Sequence, residues 1–124
     1  MAGTIVANTI NTDTGLFSTN NAYLGIAKAW VNFAGASGTI NSSFNVSSVT
    51  YTTTGDYTVN FTTAMPNATY SAVASCGSSS TRNGGFMEVP VYQALTTTSV
   101  RVGALQYTGS TYNPSYVSVL VFSS

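Results

Sequence analysis

An all-β fold is predicted for this chain: a single antiparallel β-sandwich, jelly-roll-like or immunoglobulin-like, with an extended N-terminal arm. The arm takes residues 1–22 and the sandwich residues 23–124. Two observations carry the prediction. Short runs of period-two alternation recur along the chain, the mark of strands with one buried face. Glycine, proline and asparagine punctuate those runs at the spacing of a sandwich, giving about seven or eight short strands. At 124 residues the chain is long enough for one domain with one core.

The elements follow in order. The first stretch, GTIVANTINTDTG, is rich in β-branched residues, with Ile5, Val6 and Ile10 as its apolar points. It is too weakly amphipathic to bury itself on its own core. It reads as an edge strand or as an arm that pairs with a neighbouring subunit or a larger scaffold. The segment 22–33 is the one place where a helix can be argued, since Tyr23, Ile26, Ala27, Trp30 and Val31 fall at helical spacing. Val31 and Phe33 also fit a strand, which is the preferred reading from Lys28 to Phe33. Trp30 is expected in the core or at a subunit interface.

The clearest local signal is a hairpin. Tyr57, Val59 and Phe61 alternate with Asp56, Thr58 and Asn60, and Thr54-Gly55-Asp56 supplies the turn. On the other arm Phe44 and Val46 share one phase while Val49 and Tyr51 share the other, so a bulge or kink is expected at Ser47-Ser48. Met65-Pro66-Asn67 ends the hairpin. Further strands are expected from Tyr70 to Ser75, from Phe86 to Tyr92 (an edge strand, because of Pro90) and through Val100, Val102 and Ala104. The last strand, around Val117, Val119 and Val121, is expected to be buried on both faces. Two long polar loops, Cys76 to Gly85 and Tyr107 to Tyr116, separate these strands.

Composition excludes several classes of function. Charge is nearly absent: Lys28, Arg82 and Arg101 stand against Asp13, Asp56 and Glu88, for a net charge of zero. Such a chain has no electrostatic footprint for nucleic acid or anionic lipid. Ser, Thr and Asn make up about two residues in five. A neutral, hydroxyl-rich surface suits dense packing against copies of itself. There is no histidine, and the three carboxylates lie far apart in sequence, so acid–base, zinc and nucleophilic catalysis all lack their partners. No enzyme, cofactor or metal is predicted. Asn8, Asn11 and Asp13 lack the ligand spacing of a calcium loop. The single cysteine, Cys76, excludes an intrachain disulfide and reads as a buried inert thiol, with an interchain bridge or reactive thiol as the alternatives. No apolar run is long enough to span a membrane, and the N-terminus lacks a signal-peptide pattern.

The hairpin region carries a resemblance. AKAWVNF, SFNVSSVT and TGDYTVNFTTAMPNATY, with the closing PSYVSVLVF, resemble a module of tail-fibre and related virion proteins of tailed bacteriophages, especially marine and cyanobacterial ones. The matches cover roughly half of the chain. Asn41-Ser42 stand where the module commonly carries a basic residue, and the region from Cys76 to Leu105 has no counterpart. The resemblance implies a noncatalytic virion structural protein on the particle surface, made in the host cytoplasm without a signal peptide. It implies partners among other virion proteins and copies of itself, with a trimer as the arrangement of fibres.

Within that frame, a tail-fibre or fibre-tip subunit would touch host-surface glycans through its long loops. Tyrosine and asparagine there can stack on sugars and hydrogen-bond to them. The candidate receptor-binding residues are Tyr107, Tyr112, Asn113, Arg82 and Asn83, and the candidate assembly-arm residues are Ile5, Val6 and Ile10. The alternative is a capsid decoration protein whose arm and sheet faces clamp the head lattice. A secreted sugar-binding module is disfavoured by the lack of an export signal.

Overall fold

Valine and aromatic side chains on alternate positions need a second apolar surface, and two sheets supply it to each other. The computed structural model describes residues 3–4, 6, 9–12, 15–18, 23–78, 85–89 and 95–124. Its strands are β1 (Thr9–Thr12), β2 (Gly15–Ser18), β3 (Ala29–Phe33), β4 (Ile40–Phe44), β5 (Val46–Thr53), β6 (Asp56–Phe61), β7 (Ser71–Gly77), β8 (Phe86–Glu88), β9 (Ser99–Leu105) and β10 (Tyr116–Phe122). Sheet I has the order β4-β3-β10-β7 and sheet II the order β5-β6-β9-β8, with every pairing antiparallel. The predicted all-β sandwich is the observed architecture.

The core lies between the sheets. Val31 and Phe33 from β3 and Val117, Val119 and Val121 from β10 meet Tyr57, Val59, Val100 and Val102 from β6 and β9. Phe33 and Tyr57 pack edge to face with ring centroids 5.1 Å apart, and Phe61 and Tyr70 do so at 5.8 Å. Such pairs contribute about 1 kcal/mol beyond their buried area.

Several expectations need correction. The run from Phe44 to Tyr51 is not one kinked strand. The chain leaves sheet I at Phe44 and enters sheet II at Val46, turning on Asn45, whose φ is 55°. Asparagine tolerates this left-handed conformation and its side chain uses it. Nδ2 donates to the Lys28 and Thr63 carbonyls (3.0 and 3.1 Å), and Oδ1 accepts from the Thr63 amide (2.7 Å). The expected bulge is present as well, between Val46 and Ser48.

The last strand is not buried on both faces. As a central strand of sheet I, β10 buries its valines and turns Tyr116, Ser118, Leu120 and Phe122 outward. Trp30 shares that outer face rather than the core, and it is 38% exposed. Its neighbours in β3, Ala29 and Val31, hold the inward phase. The strand expected from Tyr70 to Ser75 runs from Ser71 to Gly77 and takes Cys76 into sheet I. β8 is an edge strand, as expected, but spans only Phe86–Glu88; residues 90–92 lie outside the described residues.

Within the expected arm, β1 and β2 pair antiparallel, in register from Thr9↔Ser18 to Thr12↔Gly15. Among the described strands neither joins sheet I or sheet II. Pairing with each other satisfies one side of each backbone.

The two outer faces differ in chemistry. On sheet I the register lines up Phe44, Trp30, Leu120 and Val73 in one row across all four strands. All four are exposed, by 55%, 38%, 39% and 58%. On sheet II the outward positions of the two central strands carry Asp56, Thr58, Asn60, Ser99 and Arg101.

Candidate functional site

The β5-β6 turn, the loop after β9 and the edge strand β8 converge at one end of sheet II. Thr53 pairs with Asp56, and Gly55 between them has φ +71°, a conformation that only glycine adopts without strain. A Cβ at Gly55 would lie 2.6 Å from the Ala104 carbonyl oxygen and 2.9 Å from that of Tyr112. Glycine therefore lets the turn close down on the loop from Gln106 to Ser115.

Asn113 locks this junction. Its Oδ1 accepts from the Gly55 amide at 2.9 Å and lies 3.2 Å from the Tyr57 hydroxyl, while its Nδ2 donates to the Tyr51 hydroxyl at 3.0 Å. The Tyr57 hydroxyl also donates to the Gly35 carbonyl at 2.8 Å. Burial pushes the Tyr57 phenol up to about 12, whereas the Asn113 hydrogen bond lowers that of Tyr51.

Beside the junction lies a cleft of about 260 Å³, lined by Thr53, Thr54, Asp56, Glu88, Arg101 and Thr111 over a floor at Gly103. Asp56, Gly103 and Glu88 stand in one row across β6, β9 and β8. Because Gly103 has no side chain, the Glu88 side chain lies over it; a Cβ there would sit 3.1 Å from Glu88 Cγ. Arg101 holds Asp56 with a bidentate pair, Nε to Oδ1 at 2.8 Å and a guanidinium NH2 to Oδ2. The Asp56 carboxylate in turn raises the Arg101 pKa, through its hydrogen bond first and its charge second.

The chain has three basic and three acidic side chains, and half of them meet in this cleft. Two carboxylates accept hydrogen bonds, a guanidinium donates, and threonine hydroxyls do both. Such a set matches the vicinal hydroxyls of a sugar better than it matches an ion, because the cleft carries both signs of charge. Among the described residues no three metal-ligating side chains come together, and no helix is long and apolar enough to cross a membrane.

The sequence-predicted candidates are distributed unevenly around this site. Tyr107 is 75% exposed on a turn closed by two hydrogen bonds, Gln106 N–H to the Ser110 carbonyl and Gly109 N–H to the Gln106 carbonyl, both 2.8 Å. Tyr112 points inward instead. Its hydroxyl lies 3.2 Å from Cys76 Sγ in a hydrogen bond, and burial together with that bond pushes its phenol up to about 12. Asn113 spends its amide on the junction. Cys76 is a free, half-buried thiol.

Arg82, Asn83 and Ile5 lie outside the described residues. Ile10 lies in β1, where it pairs with Phe17, and Val6 is 92% exposed. The cleft residues Glu88 and Arg101 were not singled out from the sequence. The available signal was their phase, since each stands at an outward position of an expected strand in a chain that has almost no charge.

The chain matches no known family, no curated protein and no solved structure.

Proposed function

We propose that this chain is a noncatalytic structural protein of a bacteriophage virion, a tail-fibre or fibre-tip subunit that meets the host surface and assembles with copies of itself. The virion setting rests on the resemblance carried by SFNVSSVT and TGDYTVNFTTAMPNATY. The observation that carries host contact is the cleft: half of the charged side chains of the chain, ringed by threonine hydroxyls, with the exposed Tyr107 ring on the loop that supplies Thr111. A site of that kind on a rigid sandwich suits a surface glycan, hydrogen-bonded at its hydroxyls and stacked on an aromatic face. Nucleic acid and membrane insertion are not part of this reading. The trimer of fibre proteins is the stoichiometry the resemblance implies.

Head decoration is the second reading, and one observation favours it. One row of the outer face of sheet I is apolar across all four strands, as a surface bedded in a protein lattice would be. Gold-labelled antibody on intact particles separates the two. Label at tail or fibre tips supports host contact, and label spread over the head makes the chain a decoration protein. On the host-contact reading, particles carrying Tyr107→Ala together with Glu88→Gln should assemble normally and lose adsorption. Undiminished adsorption would remove the cleft as the receptor site.

A further inference from the structure

We infer that the outer face of sheet I is the surface through which two copies of this chain pair. The inference rests on the self-association proposed above and names the surface responsible, with a twofold contact in place of the threefold one that the resemblance implies. The row Phe44–Trp30–Leu120–Val73 crosses all four strands in register. At the β4 edge it runs on into an apolar groove of about 390 Å³ lined by Tyr23, Ile26 and Phe44, with Met65 and Pro66 at its base. Tyr23 is 56% and Ile26 60% exposed. Together these six exposed side chains present roughly 600 Å² of accessible surface, at the upper end of the largest apolar patch on a typical monomer. With the serine and asparagine row beside them, the face approaches the ~800 Å² that each partner contributes to a stable complex.

Two features indicate a second copy as the occupant. The first is charge. Among the described residues, the only charged side chain bordering the patch is Lys28, which is turned onto Tyr23, its ammonium 3.3 Å from the ring centroid and hydrogen-bonded to the Tyr23 carbonyl. The chain as a whole is neutral, so copies approach without repulsion and no charged partner is selected.

The second is shape. The row is graded, aromatic at Phe44 and Trp30 and aliphatic at Leu120 and Val73. A twofold axis lying in the interface, parallel to the strands and between Trp30 and Leu120, lays the aromatic half of one row on the aliphatic half of the other. Large residues then meet small ones on both sides, the complementarity that an isologous contact requires.

Trp30 is the only tryptophan of the chain, so its fluorescence reads this face directly. The test is analytical ultracentrifugation of the full chain over a concentration series, with acrylamide quenching of Trp30 measured on the same samples. The expected result is a dimeric mass, with Trp30 becoming shielded as the dimer forms. Leu120→Lys should weaken association by about tenfold or more. Leu120→Thr, which keeps a strand-compatible residue, should weaken it less and guards against a folding failure. An oligomer that both variants leave unchanged would overturn this face while leaving self-association standing. A monomer at every concentration would overturn both. A trimer with Trp30 shielded would overturn the twofold pairing, and a monomer with Trp30 shielded would place a segment of the same chain over the face.

Discussion

The two outer faces of the sandwich are built on the same backbone plan and carry opposite chemistry. On sheet I, outward positions of β3, β4, β7 and β10 carry Trp30, Phe44, Val73 and Leu120, which nothing among the described residues covers. On sheet II, outward positions of β6, β8 and β9 carry Asp56, Thr58, Glu88 and Arg101, already tied to one another or open to water. Inner faces are constrained by packing and must both be apolar. Outer faces are under no such constraint, and here they differ in residue type. A face that met only water would gain nothing from a row of Trp, Phe, Leu and Val, whereas a polar cleft loses little by waiting for a ligand in water.

The comparison breaks most sharply at the boundary between inside and outside. Phe33 and Trp30 lie in the same short strand, one fully buried and one on the outer face. Phe33→Ala should cost about 3–5 kcal/mol in denaturant unfolding at low protein concentration. Trp30→Ala should cost about 1 kcal/mol, because only part of the ring leaves water on folding. Equal losses would mean that sheet I has no free outer face.

A second test uses alkali. Burial raises Tyr57 and Tyr70 to about 12 from the ordinary value of 10.0. The unfolded chain releases these protons first, so it binds fewer protons than the native state between those two pH values. Stability is therefore fully present below about pH 10 and falls as pH rises toward 12, by on the order of 2 kcal/mol for each tyrosine. Tyr57→Phe should shallow that fall, as measured by urea midpoints across the alkaline range. A pH-independent midpoint there would place these phenols in water.

Asn113→Ala probes the junction that carries the polar cleft. It removes the acceptor for the Gly55 amide and the donor to Tyr51, and should destabilise the fold by about 2 kcal/mol. The smallest effect on stability belongs to Arg101→Ala. Its pair with Asp56 is open to solvent, so the unfolding midpoint should barely move, while glycan binding on a host-surface array should disappear. Retained binding would leave sheet II with a polar face and no site.

Much of this was legible in the residues. Tyr57, Val59 and Phe61 announced β6, Val100, Val102 and Ala104 announced β9, and Pro90 pointed to an edge strand. The run SFNVSSV announced an irregularity through its change of phase, yet not that the chain changes sheets at Asn45. That depends on carbonyls of Lys28 and Thr63, which are remote in sequence. That Tyr112 and Asn113 also bond across the fold was not legible, because a loop with tyrosine and asparagine reads the same whether or not its side chains reach neighbouring elements. Their partners, Cys76, Gly55 and Tyr51, come from three separate elements.

By itself, then, the sequence determined the β class, the strand phases, the nearly uncharged surface and the absence of histidine chemistry, since each follows from residue type and local spacing. Only the tertiary structure decided which outward residues share a face. The apolar row of sheet I draws one residue from each of four strands, and the cleft of sheet II brings together Asp56, Glu88 and Arg101 from three. Strand order sets those neighbours. It is fixed by how the two sheets jointly bury their valines and aromatics, a global condition that no local pattern contains.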